Sequence, residues 1–260
     1  MNILIKDVKK YYKYIVYAAK ADLQSEVTNA YLDWFWWILE PVCNMLIYYL
    51  IFGVVFRNEE QYYMVFIYSG ITMWTFFSRT MMVSVRLIQD SKDIITKVYV
   101  PKSVLLLEKI LVNAFKMLIS WGIVVVLMVP YQIPVDYHLI WLIPILLIFF
   151  IFTYGCGCIL MHFGVYMDDL SYIVSIALNM MFYFNGIFYS ISNSFPEPFG
   201  DVLENVNPIA FLIAAMRKSL MYRQDISGGG LLIWMAVSIS LSVIGTKIIY
   251  KHENSYVKVI

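Results

Sequence analysis

The fold is decided in residues 31–57, which read YLDWFWWILEPVCNMLIYYLIFGVVFR, a tryptophan cluster followed by a long apolar run that ends at a basic residue. Three tryptophans within positions 34–37 are typical of a membrane–water boundary, where the ring lies in lipid and the indole N–H stays hydrated. The apolar run is long enough to cross the hydrocarbon core, because about 20 residues at ~1.5 Å each extend ~30 Å.

Two residues inside this run, Glu40 and Pro41, are unusual for a simple anchor. An ionisable side chain at membrane depth costs at least ~2 kcal/mol unless it contacts protein or water. We therefore interpret the helix as one wall of a pathway.

Composition agrees with a membrane protein. Apolar residues make up 61% of the 260 and charged residues 14%, against about 45–50% and about 25% in soluble domains. We expect an all-α, multi-pass membrane protein with one permease domain over residues 1–260. The net charge of +1 argues against a nucleic-acid partner, and the three cysteines lie in apolar stretches as packing residues rather than as a metal site.

Six membrane spans are predicted, at residues 34–56, 62–86, 104–129, 138–163, 171–191 and 231–250. Segment 192–230 has too short an apolar run to cross. A turn around residues 195–198 and a helix starting at Asn207-Pro208 predict a helical hairpin that dips into the outer leaflet. A plain extracellular loop is the alternative.

The basic residues near the span ends predict the orientation. Thirteen of these lie in the N-terminal segment, in the 86–109 connection and in residues 247–258 at the C-terminal end. Four lie on the other side: Arg57, Arg217, Lys218 and Arg223. Cytoplasmic loops carry the excess of Lys and Arg. Both termini are therefore placed in the cytoplasm, and so is the short acidic turn 164–170.

The N-terminal segment 1–30 is predicted to form an amphipathic helix. Within residues 1–20, apolar and aromatic side chains occupy one arc of a helical wheel and five lysines a separate arc. This pattern is typical of a helix lying in the inner membrane interface. A helix packed on a soluble partner fits the same wheel.

The connection 91–100, between spans two and three, predicts a short cytoplasmic helix. A capping residue, a first-turn acid, a last-turn base and a stop signal follow in order: Ser91, Asp93, Lys97 and Pro101. Ile94 and Val98 then share one side, with Ile95 beside them. Such a ridge suits docking to a partner, although an ordinary amphipathic loop has the same pattern.

Cations inside the spans are candidate binding groups. A narrow stripe of span three carries Lys109, Asn113, Lys116 and Ser120. Arg79 lies near the inner end of span two. Polar residues at membrane depth usually face the bundle or a wet cavity, although lysines near helix ends also reach out to the interface. We expect one of these cations to pair with Glu40.

Aromatic residues crowd the outer end of span five around Asn185-Gly186, where glycine permits either close approach or a break in the helix. No G-x-x-x-x-G-K-[ST] motif occurs, so the chain lacks a P-loop for ATP. Gly228-Gly229-Gly230 is interpreted as a flexible joint before span six. His162 with Asp168 and Asp169 fits no common metal-ligand spacing.

Four stretches in this order resemble a known family: YLDWFWWILEPVCNMLIYYLIFGVVF, IITKVYVPKSVLLL, FYFNGIFYSI and NPIAFLIAAMRKSLMY. The family is the transmembrane permease of ABC transporters that export lipid-linked polysaccharides such as O-antigen, capsule and teichoic acid. The resemblance covers nearly the whole chain. It implies a homodimer of permeases with two ATPase subunits, in the bacterial cytoplasmic membrane. This chain would hold no cofactor, since Mg-ATP is bound by the partner.

The resemblance also implies roles for particular residues. The ATPase would contact Ser91, Asp93, Ile94, Ile95, Lys97, Val98, Tyr99, Asp168 and Asp169. The glycan channel would be lined by Trp34, Trp36, Trp37, Tyr48, Tyr49, Phe182, Tyr183, Phe184, Phe188 and Tyr189. Many members carry a basic cluster where this chain has Asp22, Gln24, Glu26 and Thr28. Contacts to the phosphates of an undecaprenyl-diphosphate carrier are therefore predicted at Arg79, Lys109 and Lys116.

Two other functions remain open from the sequence. A permease of the same fold exporting a drug, a peptide or a small lipid fits the spans equally well. A membrane-embedded enzyme acting on lipid-linked sugars needs paired carboxylates. The candidates, Asp168-Asp169 and the group Glu197, Asp201 and Glu204, are predicted on opposite membrane faces, which makes a poor site.

Overall fold

In a computed structural model, which describes residues 2–28, 33–58, 60–196 and 198–259, every regular element is helical. The α-helices are α1 (Asn2–Thr28), α2 (Asp33–Tyr48), α3 (Tyr63–Asp90), α4 (Lys92–Ile95), α5 (Lys102–Met128), α6 (Leu142–Gly164), α7 (Leu170–Phe184), α8 (Ile191–Ser194), α9 (Phe199–Val206), α10 (Pro208–Arg217) and α11 (Gly228–Val259). Tyr49–Val55 and Lys218–Tyr222 are π-helical, and Tyr137–Trp141 is a 3-10 helix. The predicted all-α class is confirmed.

Four helical segments of the described chain are long and apolar enough to cross a membrane. They are Trp34–Val55, Lys102–Met128, Tyr137–Gly164 and Gly228–Tyr256. These segments match predicted spans one, three, four and six. A fifth candidate arises if α9 and residues 208–222 are counted together as one bent span.

The helix at predicted span two, α3, is not among the four because serine, threonine, glycine and arginine interrupt its apolar sequence. It is nevertheless the centre of the fold: nineteen of its 28 residues are buried. It packs against α5 and α6, and also against α2, α7 and α10. Four hydroxyl residues of α3, at 69, 72, 80 and 84, therefore face protein, whereas Arg86 is exposed.

The helix at predicted span five, α7, has 15 residues, or about 22 Å, and is shorter than the predicted 171–191. The chain turns at Asn185, and Gly186 follows with a φ of +65°. This left-handed conformation is one that glycine adopts without a steric penalty. The predicted break at Gly186 is confirmed.

The segment after this break consists of α8, α9 and α10, with a bend of 102° between α9 and residues 208–222. Asn207 sits at the bend, where its Oδ1 accepts hydrogen bonds from the backbone N–H groups of Ile209 (3.1 Å) and Ala210 (3.4 Å). With Pro208 in the first turn, this is the helix start that the sequence predicts. Glu197, in the predicted turn, lies outside the described residues.

Arg217, which the charge count places on the outer flank, is buried at the end of α10. Its guanidinium donates to the carbonyl oxygens of Gly186 (2.7 Å), Phe66 (2.9 Å) and Ile187 (3.0 Å). Gly70 leaves room for it, because a Cβ there would lie 2.5 Å from Arg217 Nη2. Arg217 thus joins the α7 break to the start of α3.

The end of α6 approaches α3 so closely that a side chain at Gly164 would collide with the backbone carbonyl of Val85. On the other face of α6, a Cβ at Gly155 would lie 2.8 Å from the backbone nitrogen of Ser242 in α11. Small residues allow this kind of close helix packing in membranes. Buried Cys158 packs beside Gly245 in the same contact, as expected of a packing residue.

The glycine triplet 228–230 is not a joint: it forms the first turn of α11. Ser227 stabilises this start, because its Oγ accepts a hydrogen bond from the backbone N–H of Gly230 at 3.3 Å. The helix then continues without a break through the predicted tail to Val259.

The N-terminal helix α1 packs along α5 of its own chain. Ile15 and Ala19 of the predicted apolar arc are buried, whereas Ile5 and Tyr12 of that arc remain exposed, as do the five lysines. The amphipathic pattern is therefore partly used inside the molecule. Met1 and residues 29–32, which belong to the predicted segment, lie outside the described ranges.

Candidate transport pathway

The aromatic residues predicted in spans one and five meet around the ring of Phe188. Its centroid lies 4.5 Å from that of Tyr48 and 5.0 Å from that of Phe182. Phe52 of the π-helical segment stacks on its other side at 4.6 Å. Tyr183 completes the group at 6.1 Å. We call Tyr48, Phe52, Phe182, Tyr183 and Phe188 the aromatic cluster.

Two aromatic residues of this region, Phe52 and Trp74, are not among the channel residues predicted from the sequence. In the sequence, Phe52 is one residue of an apolar run. Trp74 lies in the middle of α3, and its ring centroid is 5.9 Å from that of Phe182. Nothing in the local sequence separates Trp74 from a core residue. Its position follows from α3 packing against α7.

The other predicted channel residues lie around this cluster rather than in it. Tyr49 turns toward Tyr63 of α3 at 6.1 Å. Tyr189 donates a hydrogen bond from its hydroxyl to the carbonyl of Tyr183 at 2.8 Å. Phe184, Trp34 and Trp36 are exposed on the outside of the chain.

Arg79 of α3 pairs with Glu40 of α2, with 2.6 Å between Nη2 and Oε2. The expected pairing of Glu40 with an intramembrane cation is thereby confirmed. The Arg79 side chain keeps 37% of its surface exposed, so it also reaches a groove of about 230 Å³ between α3 and α7. Ser175 and Asn179 of α7 line that groove and are new candidate polar contacts.

The two candidate lysines of α5 pair with carboxylates of α1. Lys109 contacts Asp22, and Lys116 Nζ lies 2.6 Å from Glu26 Oε2. Lys116 also lies over the ring of Trp37, 5.3 Å from its centroid. Asp22 and Glu26 thus pair with two lysines that are seven residues apart on α5. They lie in the part of the chain where the family resemblance implies basic residues.

Trp37, Arg79 and Lys116 line one small polar cavity of about 20 Å³, together with Asn113 and Ser120. Asn113 donates to Thr80 of α3 at 3.1 Å. The predicted polar stripe of span three therefore faces α3 and the inner part of α2. A volume of this size holds about one water molecule.

The predicted cytoplasmic helix is shorter than expected: α4 covers Lys92–Ile95. Ser91 precedes it, but its side chain makes no capping hydrogen bond; its backbone carbonyl accepts from Ile94 and Ile95 at 3.0 Å instead. The side-chain cap prediction is therefore wrong. Ser91 is buried against the end of α3, where the hydroxyl does not face the turn that follows.

The predicted apolar ridge is only partly present on this surface. Ile94 and Val98 are exposed, as expected, whereas Ile95 is buried in the core. Asp93 and Lys97 are exposed as well. Tyr99 bonds through its hydroxyl to Glu253 of α11 at 3.4 Å, and burial followed by the Glu253 charge raises the pKa of Tyr99.

The acidic turn lies at the same end of the molecule as α4. Gln89, near the end of α3, donates to the carbonyl of Gly164 and to Asp168 Oδ1, both at 3.3 Å. Asp168 and Asp169 are exposed. Sequence reasoning missed Gln89, whose role depends on α6 ending beside α3. Both predicted ATPase contacts thus share one surface.

The carboxylates considered for an enzyme are far apart. Asp168 lies beside Gln89 at the end of α3, whereas Glu204 borders a cavity with Phe66 at its start. Across the described parts of the chain, no group of three or more His, Cys, Asp or Glu residues is arranged to hold a metal ion.

Comparison with known proteins decides the family. The sequence profile of the ABC-2 type transporter family matches residues 17–221. The chain belongs to the ABC-2 type transporter family. The matched range runs from α1 through the π-helical end of the bent segment, so it includes the aromatic cluster, the three cations and α4.

Individual ABC-2 relatives are similar over nearly their whole length. An O-antigen export system permease protein RfbA from Klebsiella pneumoniae is 27% identical over 247 residues, which is 95% of this chain and 94% of the relative. A protein of the same name from Myxococcus xanthus is 25% identical over 238 residues, 92% of each chain. A multi-pass membrane protein follows from the family and from the apolar helices together.

Proposed function

We propose that this ABC-2 chain is the permease subunit of a transporter that exports a lipid-linked polysaccharide across the bacterial cytoplasmic membrane. The names of the relatives support this function, and their near-complete overlap with this chain supports a similar division of labour. ATP would be hydrolysed by a separate subunit, since the sequence lacks a P-loop. This chain is then a transport subunit and not an enzyme.

The observation that carries the proposal is the aromatic cluster beside a membrane cation. Tyr48 and Tyr183 belong to α2 and α7, and Arg79 lies between the same two helices. Sugars present C–H faces to aromatic rings and hydroxyls to polar edges, and tyrosine offers both. A row of rings lets a polymer move without one deep binding site.

In the proposed topology α3 and α7 also cross the membrane, giving six crossings with both termini in the cytoplasm. Helix α3 tolerates its buried hydroxyls because other helices cover them, Arg79 pairs with Glu40, and Arg86 is exposed near the end that we place at the cytoplasmic side. The bent pair α9–α10 forms the re-entrant hairpin, since irregular backbone at membrane depth is tolerated only against protein or water. Helix α1 lies at the inner interface with its exposed lysines toward lipid headgroups.

A second copy of the chain would cover the exposed faces of α2 and α7. Leu46 and Ile47 of α2 and Ile176 and Met180 of α7 are all exposed beside the aromatic cluster. The polar groove between α3 and α7 requires protein or water beside it at membrane depth, and a second copy would supply that protein. Two copies facing one another would place two aromatic clusters around one channel.

The lipid diphosphate would be held by Arg79, Lys109 and Lys116. Each cation has a carboxylate partner, Glu40, Asp22 or Glu26, which a phosphate must displace. The pair of Arg79 with Glu40 is the most exposed of the three, and an exposed ion pair contributes only about 0–1 kcal/mol. A phosphate carries more charge and more acceptor oxygens than a carboxylate, which favours the exchange at Arg79.

The ATPase would dock on the surface formed by α4 and the acidic turn. Ile94 and Val98 supply exposed apolar contacts, and Asp168 and Asp169 supply charge. Closure of two ATPase subunits on ATP would rotate this end of the permease.

The test combines Arg79→Gln with Lys116→Gln in cells that depend on the chain for surface glycan. We expect at least a tenfold loss of exported glycan at normal membrane levels of the protein. Arg223→Gln with Lys247→Gln, both exposed and away from the cluster, is the matched control. Undiminished export in the first pair contradicts the phosphate assignment, and surface glycan that persists when the whole gene is deleted contradicts the export function.

A further inference from the structure

A cavity of about 320 Å³ lies at the end of the molecule opposite α4. Its lining comes from the 60–61 connection, the break after α7, and the two arms of the bent pair α9–α10. Residues 186–189 separate it from the aromatic cluster: Gly186 and Tyr189 line the cavity, while the Phe188 ring lies in the cluster. The cavity is therefore a compartment within one chain.

Two polar atoms of the cavity lining, Asn185 Nδ2 and Arg217 Nε, lack a hydrogen-bond partner among the residues that the structure describes. Asn185 is 1% exposed, and its Oδ1 accepts a hydrogen bond from Asn207 Nδ2 at 2.7 Å. Its own Nδ2 makes no hydrogen bond. A buried amide N–H without a partner costs about 1–3 kcal/mol, so a ligand that accepts a hydrogen bond here gains that energy on binding.

The remaining polar lining mixes donors with acceptors. Lys218 Nζ lies 3.1 Å from Glu204 Oε1, and the Tyr222 hydroxyl donates to Glu60 Oε2 at 3.4 Å. The serine hydroxyls at 190 and 192 bond to each other at 3.1 Å on the same wall. Carboxylates, amide and hydroxyls within one cavity match a ligand whose groups both donate and accept.

This mixture disfavours charged ligands. A metal ion would face the Lys218 ammonium and the Asn185 amide hydrogens, which are donors and cannot coordinate it. An anion would face the carboxylates of Glu60 and Glu204, whose two negative charges offset the positive charges of Arg217 and Lys218 in the same lining. A neutral polyol meets neither obstacle, because each hydroxyl donates to a carboxylate and accepts from an amide or ammonium. The ring of Tyr189 in the lining offers apolar surface for its C–H groups.

We propose that this cavity binds one neutral sugar unit, separately from the aromatic pathway and within each copy of the chain. Its volume is at the lower end of the range for small-molecule sites. The inference rests on the proposed function in one respect: the sugar would be a unit of the exported glycan that has reached the outer end. A free saccharide outside the membrane has the same chemistry.

The binding test uses the full-length chain in lipid nanodiscs with methyl α-D-glucopyranoside, methyl α-D-mannopyranoside and N-acetylglucosamine as probes. Saturation-transfer NMR measures binding of each. Two variants address the site: Asn185→Asp keeps the acceptor for Asn207 and removes the free donor, and Ala214→Leu fills the cavity. Ala236→Leu, on the exposed face of α11, is the control for added volume.

We expect at least one probe to bind the unmodified chain and the control equally, and at least tenfold more weakly to both site variants. Thermal unfolding of each variant by fluorescence shows whether it is folded, and Ala214→Leu serves if Asn185→Asp is not. Binding that is unchanged in folded Ala214→Leu, or absent for all three probes, overturns the proposal.

Surface glycan in cells carrying Ala214→Leu identifies the source of the sugar. Reduced export together with lost probe binding assigns the site to the exported glycan. Lost binding with normal export assigns it to a free saccharide. If deletion of the gene leaves surface glycan unchanged, the export function fails, yet probe binding by the purified chain still supports the sugar site.

Discussion

Helices α2 and α3 invert the rule that apolar helices are buried. Within Trp34–Val55 only Pro41 and Met45 are buried, although this is the more apolar segment. Helix α3 carries two arginines and several hydroxyls, yet most of it is enclosed. In a membrane, lipid accepts an apolar surface, whereas polar groups require protein around them. The mean hydropathy of these two helices therefore follows their exposure to lipid and not their burial inside the protein.

The hydroxyls of α3 show how a polar helix remains stable in this position. Thr72, Thr80 and Ser84 each donate to the backbone carbonyl four residues earlier, at 2.8, 2.7 and 2.6 Å. Thr80 also accepts from Asn113 of α5. Polar residues that bond within the bundle need no water, so α3 can occupy the centre.

The largest loss of stability is expected from a substitution at the contact between α3, the α7 break and α10. Arg217→Met removes the donor to the carbonyl oxygens of Gly186 and Ile187, whereas Phe66 O still accepts from Ser69, and each unsatisfied buried acceptor costs about 1–3 kcal/mol. We expect a loss of about 4 kcal/mol or more, measured as failure of the full-length chain to accumulate in membranes. Arg223→Met, at an exposed position, is expected to accumulate normally. Equal amounts of the two variants in membranes would show that the hydrogen bonds of Arg217 are dispensable for stability.

A direct comparison of α2 with α3 uses one truncation in each. Met73→Ala removes a side chain that is 0% exposed, and Leu46→Ala one that is 44% exposed. The first is expected to cost about 2–5 kcal/mol and the second under about 1 kcal/mol in a monomeric preparation. Denaturant unfolding in detergent measures both. Similar costs would mean that α2 is as enclosed as α3.

The close contact of α3 with α6 gives a third comparison. Gly164→Ala places a methyl group against the Val85 carbonyl, and such overpacking costs about 1–3 kcal/mol. At Gly122 nothing lies within 4 Å of an added Cβ, so Gly122→Ala should stabilise α5 by about 0.5–1 kcal/mol through helix propensity. Thermal unfolding shifts of opposite sign are the expected result; shifts of the same sign contradict the packing.

The smallest effect is expected for the ion pair between α1 and α5. A double-mutant cycle of Glu26→Gln and Lys116→Gln isolates the interaction from each residue's other contacts. Because Glu26 is well exposed, we expect a coupling of under about 1 kcal/mol. Coupling of several kcal/mol would mean that the pair is shielded from water, and that a phosphate could not displace Glu26 easily.

The sequence predicted the features that depend on local pattern. The helix start at Asn207, the break at Gly186 and the pairing of Glu40 follow from residue type and spacing, whereas the family resemblance implied that Tyr48 and Phe188 share one region. The family resemblance was confirmed by a profile match over most of the chain.

The structural features that the sequence did not predict depend on contacts between distant segments of the chain. The buried position of Arg217 requires the α7 break and α3 to meet, which no local pattern near residue 217 encodes. The loss of the Ser91 cap reflects tertiary packing that overrides a local preference. The triplet 228–230 resembles a joint by composition, but it becomes helical because α11 begins there with Ser227 as its first acceptor.

The unbroken length of α3 has a mechanical consequence. Its 28 residues extend about 42 Å, from a turn whose Phe66 carbonyl is held by Arg217 to Gln89, which bonds the Gly164 carbonyl and Asp168. A continuous helix that is bonded near both ends transmits a tilt along its whole length. A tilt of a few degrees at the α4 end therefore displaces the cavity wall at the far end by ångströms, with no relay of side chains between them.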